Sequence, residues 1–176
     1  MRYYEALGLS PKLALDSEEL KKHFYERSRQ WHPDRFGRSS AAEQQKSLEM
    51  TSVINDAFRT LRDPVARAEY FLEESGIQPS KQVPPELLEE VFEMNIALEE
   101  LRAGDEGARP TLIEARERFH NMQKEIDDGL SALFTRHDRG PDAAHLLSIR
   151  SALDRRQYVA NLIRDVEKEL NVHASN

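Results

Sequence analysis

The chain has 176 residues, 32% of them charged, and a formal net charge of −7 at pH 7. It contains no cysteine, which excludes disulfides, thiolate metal sites, cysteine nucleophiles and cysteine-held iron-sulfur clusters on this chain. No apolar run of about 18 residues occurs, the opening MRYYEALGLSPK lacks the zones of a signal peptide, and the acidic balance opposes broad nucleic-acid binding, so a cytoplasmic protein without membrane or nucleic-acid partners is expected.

Taken in order, the sequence carries helix punctuation and almost no strand signal. YYEALGL is long enough for about two helical turns. LDSEELKKHFYERSRQW offers Asp16 as N-cap with Glu19 three residues on, and spaces Leu20, Phe24 and Trp31 along one face, which predicts a helix over 17–31. Pro33 ends it, because proline lacks an amide donor and disfavours helical geometry at His32. A second capping pattern, Ser40 with Glu43, opens a helix whose inner face is expected to hold Leu48, Thr51, Ile54, Phe58 and Leu61. The two helices should form an antiparallel hairpin with His32-Pro33-Asp34 at its tip. Asp63-Pro64 then reads as the N-cap and first turn of a further helix, stopped by Gly76.

Residues 1–75 therefore read as one four-helix unit. The proline-rich GIQPSKQVPP marks a boundary, with the linker placed at 76–84. Beyond it, helices are expected over 85–103, 110–137 and 141–172, and short turns between long helices imply a three-helix bundle over 85–176. Leu112, Phe119, Met122, Ile126, Leu130 and Leu133 follow a core stripe in the second of these, as do Ile149, Leu153, Ile163, Val166 and Leu170 in the third.

In the first bundle helix, Leu87, Val91, Met94, Leu98 and Leu101 make a core stripe, while Leu88, Phe92 and Ile96 recur every four residues about 100° further round. One helix of a three-helix bundle does not easily bury both sets. The second set either faces the amino-terminal unit or forms an exposed apolar patch for a partner.

The tip segment RQWHPDRFG admits three chemistries. His32 and Asp34 could serve as an acid–base pair, but they straddle a proline with no third orienting group nearby in sequence, so no enzyme is expected and no catalytic residue is assigned. His120, His137, His145 and His173 lack the spacing of a metal-binding helix motif, so neither metal nor cofactor is expected. The third reading is recognition: Pro33 fixes its own backbone and restricts His32, so the imidazole and carboxylate are presented with little freedom to lose on binding. Beside them, Lys21, Lys22, Arg27, Arg29, Arg35 and Arg38 outnumber Glu18, Glu19, Glu26 and Asp34, a local positive excess within an acidic chain.

Together, YYEALGL, WHPDRF between two helices, INDAFRTLRDPVARAEY and an elongated helical carboxyl-terminal bundle resemble the HscB-type J-proteins, co-chaperones that deliver the iron-sulfur scaffold IscU to a DnaK-type (HscA) ATPase chaperone. The resemblance implies an all-α protein: an amino-terminal J domain, a helical hairpin with two flanking helices, joined in an L shape to a three-helix client-binding bundle. It implies that His32, Pro33 and Asp34, with Lys21, Lys22, Arg27, Arg29 and Arg35, meet an acidic patch on the chaperone. ATP would be hydrolysed entirely on that partner. It further implies that the scaffold binds Leu88, Phe92, Glu93, Ile96 and Glu100 with Tyr158 on the final helix, although LLEEVFEMNIALEEL departs from the family pattern at Glu89 and Ile96. The alternative is a J-protein serving another client in folding or complex assembly; the glycine-phenylalanine linker and zinc repeats of general DnaJ-type chaperones are missing from this sequence.

Overall fold

In the computed structural model, which describes residues 1–80 and 82–172, every regular element is helical: α1 (Arg2–Leu7), α2 (Ser17–Gln30), α3 (Ala41–Arg62), α4 (Pro64–Glu74), α5 (Leu88–Arg102), α6 (Arg109–Arg139) and α7 (Ala143–Val172). Single turns of 3-10 helix stand at Pro33–Phe36, Pro85–Leu87 and Glu106–Ala108. No strand occurs among the described residues. The chain divides into two compact units: Met1–Gln78 with Leu133–Leu147, and Pro79–Ala132 with residues from Ser148 onward.

In the first unit the caps act as the sequence implies. The Asp16 carboxylate accepts from the amides of Glu18 and Glu19 at 2.9 and 2.8 Å, and Asp63 accepts from Ala66 at 2.7 Å. Ser40 and Glu43 form a reciprocal capping box at the start of α3. Gly76, at φ 77°, takes the left-handed conformation that closes α4, with the Ile77 amide reaching the Leu72 carbonyl at 2.9 Å. The core between the helices is Tyr4, Leu7, Leu13, Leu20, Ile54, Ala57, Leu61, Ala68 and Leu72, all buried. Tyr4 keeps its hydroxyl satisfied by donating to the Lys12 carbonyl at 2.7 Å, and burial raises its pKa.

Leu48 departs from expectation. It is exposed, and Ser47 is buried in its place. The reason is a carbonyl: the Trp31 C=O at the end of α2 has no intrahelical partner, and both Ser47 Oγ (2.8 Å) and Thr51 Oγ1 (3.0 Å) donate to it. A hydrophobic side chain at position 47 would leave that acceptor less well satisfied.

The hairpin 133–147 belongs to this unit through Asp138, whose two carboxylate oxygens accept from the amides of Leu13 and Ala14 at 3.0 and 2.7 Å. His137 packs edge-on to Phe71 at 5.6 Å, giving the apolar face of α4 a cover.

In the second unit, polar side-chain pairs mark the helix directions. Glu86 and Arg102, at the two ends of the α5 segment, pair with Arg155 and Glu169 on α7, so these helices run parallel. Asp127 and His120 on α6 pair with Arg156 and Glu167, so α6 and α7 run antiparallel. The result is an up-down-up bundle whose interior holds Met94, Leu98, Leu101, Leu112, Phe119, Ile126, Leu130, Leu153, Ile163, Val166 and Leu170. Three helix starts shift from their expected places. After Pro84-Pro85 the backbone first makes a 3-10 turn, and α5 begins at Leu88 rather than at 85. α7 begins at Ala143, two residues after Pro141, because Asp142 accepts from the Ala144 amide at 2.9 Å and caps the helix. α6 begins at Arg109, which leaves Pro110 in the first turn, where a missing donor costs nothing.

Candidate functional site

α2 stops at Gln30 with Trp31 as its C-cap, and the chain reverses through Pro33–Phe36. His32 sits in the extended region (φ −60°, ψ 130°) and caps this turn: its Nδ1 accepts from the Asp34 amide at 3.3 Å. The proton of the neutral ring is thereby left on Nε2, the nitrogen facing away from the turn. The Asp34 carboxylate is 89% exposed and lies 3.5 Å from the same Nδ1. Two stacked rings brace the tip from beneath, Trp31 and Phe36 at 5.9 Å and nearly parallel, with the Lys46 ammonium over Trp31 at 5.8 Å. The Arg35 amide donates to the His32 carbonyl at 3.0 Å. The imidazole and carboxylate are thus held by the turn, the rings and α3 while staying open to solvent.

Alongside the tip runs a groove of about 580 Å³ lined by Tyr25, Ser28, Arg29, His32 and Arg35. Of these, Tyr25 has no place in the apolar pattern of α2. It lies off the stripe of Leu20, Phe24 and Trp31, and an exposed aromatic on the polar face of α2, seven residues before His32, was the available signal. Of the basic residues expected beside the tip, Lys22, Arg29 and Arg35 are exposed. Lys21 is exposed but bound to Glu18 at 2.7 Å, which raises its pKa. Arg27 differs: it is half-buried, donates to Gln30 at 3.1 Å, and lies against Gly8, where an added Cβ would stand 2.5 Å from its guanidinium. Gly8, at φ 69°, both closes α1 and makes room for that arginine.

A second surface lies on α5. Leu88, Phe92 and Ile96 are 56, 68 and 43% exposed, so the second stripe of α5 is an exposed apolar face. Glu100 continues the same four-residue spacing and is exposed, and Glu93 beside Phe92 lies 3.9 Å from Arg118 on α6. Tyr158 is half-buried on α7 and makes no ring contact with Phe92 among the described residues. Burial of the Leu87, Met94, Leu98 and Leu101 stripe in the bundle core is what keeps these three side chains outward. Among the described residues no group of three or more His, Asp or Glu side chains converges as a metal site, and His173 lies outside the described residues. No described helix is long and apolar enough to cross a membrane.

Residues 2–70, the helices that carry the tip, match the DnaJ domain family model. Over 137 residues the chain is 34% identical to the Co-chaperone protein HscB homolog of Neisseria meningitidis, covering 76% of this chain and 77% of that protein. The chain belongs to the HscB co-chaperone family. The HscB homolog of Vibrio vulnificus is 32% identical over 130 residues, 71% of this chain and 75% of its own length. The solved structure of the chaperone HscB from Vibrio cholerae superposes with a TM-score of 0.64 at 27% identity, covering 96% of both chains. The HscB likeness thus extends from the DnaJ domain through the bundle, and the all-α architecture with an amino-terminal J domain is that of the family.

Proposed function

We propose that this HscB-family chain binds a DnaK/HscA-type ATPase chaperone through its hairpin tip, stimulates ATP hydrolysis there, and delivers to it an IscU-type iron-sulfur scaffold held on α5. The observation that carries the reading is the tip itself: a His-Pro-Asp turn braced internally while its two ionisable groups stay solvent-facing. Such a turn loses little conformational freedom on docking, so its hydrogen bonds act as affinity rather than as ordering. Lys21, Lys22, Arg29 and Arg35 would steer an acidic surface towards His32, Pro33 and Asp34, with Arg27 contributing less because it is turned to Gly8. The chain performs no chemistry in this scheme. It shifts the equilibrium between states of the ATPase, and is itself not an enzyme.

Leu88, Phe92 and Ile96 would bury against the scaffold, each of the larger side chains contributing on the order of 1.5–3 kcal/mol. Glu93 and Glu100 would orient it by charge, with Tyr158 at the margin. The whole cycle belongs in the cytoplasm, where both partners would meet it. The test is a binding titration of an IscU-type scaffold against the full chain and against Leu88→Ala/Phe92→Ala, with ATPase stimulation of a DnaK/HscA-type chaperone measured on the same samples. Saturable scaffold binding lost in the variant supports delivery. Stimulation without any scaffold binding would leave a J-protein with another client and remove the iron-sulfur assignment.

A further inference from the structure

In the groove beside the tip, Tyr25, Ser28, Arg29 and His32 recur at the three- and four-residue spacing of one helix face, so α2 carries a continuous strip that runs on into the His-Pro-Asp turn. Arg35 closes the strip from the turn, its Nη1 reaching back to the Arg29 carbonyl at 3.5 Å. No acidic residue lines the groove, which leaves its two guanidinium groups facing an approaching partner.

Tyr25 is the one member of the strip that attraction of an acidic surface does not use. Its ring is 61% exposed and leans on Phe24 at 5.5 Å, which in turn stacks on Phe58 at 4.2 Å. Its hydroxyl makes no hydrogen bond among the described residues. A large ring braced from behind and wet in front has much area to gain from contact and little freedom to lose, the combination found in the anchors of protein interfaces. The negative face of the ring repels a carboxylate, and the neighbouring Arg29 and Arg35 repel a cation, so an uncharged aliphatic group is what this position accepts.

We infer that Tyr25 is an apolar anchor of the chaperone contact: an acidic segment of the ATPase lays one aliphatic side chain on the Tyr25 ring while its carboxylates face Arg29 and Arg35. This rests on the function proposed above and adds to it a means of selection, because an ATPase with the acids but without the aliphatic side chain docks more weakly.

The test is the concentration of full chain that half-maximally stimulates a purified DnaK/HscA-type chaperone, compared for the unsubstituted chain, Tyr25→Phe, Tyr25→Ala and Arg29→Ala. Tyr25→Ala should raise that concentration about tenfold, equivalent to about 1.4 kcal/mol, and Tyr25→Phe should restore it because the ring and not the hydroxyl makes the contact. Between about 0.05 and 0.5 M salt the Tyr25→Ala loss should hold constant, whereas the Arg29→Ala loss should shrink as charges are screened. Thermal melts of each variant report the fold. Should Tyr25→Ala fail to fold, the tyrosine ring resonances of the unsubstituted chain decide: the Tyr25 signals should move when the chaperone is added, and unmoved signals overturn the inference. Normal stimulation by a folded Tyr25→Ala, a Tyr25→Phe loss as large as that of Tyr25→Ala, or a Tyr25→Ala loss that vanishes in salt would overturn the anchor and leave the proposed function standing. An unsubstituted chain that stimulates no such chaperone would overturn both.

Discussion

The hairpin tip and the α5 face are both exposed, yet they are built on opposite principles. At the tip, Pro33 and the Trp31–Phe36 stack support two polar groups whose geometry is set by local hydrogen bonds. On α5, the apolar side chains of Leu88, Phe92 and Ile96 form no hydrogen bonds and are positioned because the neighbouring stripe is buried in the bundle. A rigid polar point gives orientation and salt-sensitive attraction, whereas an uncovered apolar face gives affinity through water release. Under the proposed function, two partners recognised in such different ways should be separable by mutation and by solvent conditions.

The largest effect should come from His32→Gln. It should reduce ATPase stimulation to the unstimulated rate while leaving the melting midpoint and scaffold binding unchanged, since the ring is exposed and packs in no core; steady-state ATPase assays and thermal melts on one preparation check this. Next, Leu88→Ala and Phe92→Ala should each weaken scaffold binding by about 10- to 100-fold, as expected for an apolar contact of roughly 1.5–3 kcal/mol. Calorimetric titration reads it, and stability should move by no more than about 0.5 kcal/mol because both side chains are exposed. A smaller and more diagnostic contrast comes from ionic strength. Raising salt from about 0.05 to about 0.5 M, which shortens the screening length severalfold, should weaken chaperone binding far more than scaffold binding.

The smallest effect is at the capping box behind the tip. Hydrogen bonds from the Ser40 hydroxyl and amide lower the Glu43 pKa, so this contribution is present above the ordinary carboxylate pKa and is lost as pH falls through the depressed value. Ser40→Ala should therefore lower the melting midpoint slightly at neutral pH, and the difference from the unsubstituted chain should shrink on acidification. A pH series of thermal melts checks the sign.

Much of this architecture is written locally. Asp16, Ser40 and Asp63 act as N-caps because a short side-chain oxygen next to helical residues has few better partners than the free amides. The apolar spacing of the bundle core reports burial for the same local reason. What the sequence conceals are tertiary preferences. Ser47 is buried instead of Leu48 because of a carbonyl contributed by α2, sixteen residues away. Arg27 looks like any other cation of α2 until Gly8 is placed beside it. Asp138 reads as one more acid at the end of a surface helix, whereas it ties the α6 end to the backbone of Leu13 and Ala14. On α5 the sequence assigns one apolar stripe to the bundle core and leaves open whether Leu88, Phe92 and Ile96 are covered, because that depends on surroundings no local pattern records.

The claim that tip and face act as independent recognition devices is tested most directly by one experiment: ATPase stimulation of a DnaK/HscA-type chaperone, with and without IscU-type scaffold, by the unsubstituted chain, His32→Gln and Leu88→Ala/Phe92→Ala. The account predicts that His32→Gln stimulates in neither condition, and that the α5 variant stimulates normally without scaffold but loses the additional effect of scaffold delivery. Retained stimulation by His32→Gln, or an α5 variant that fails even without scaffold, would contradict it.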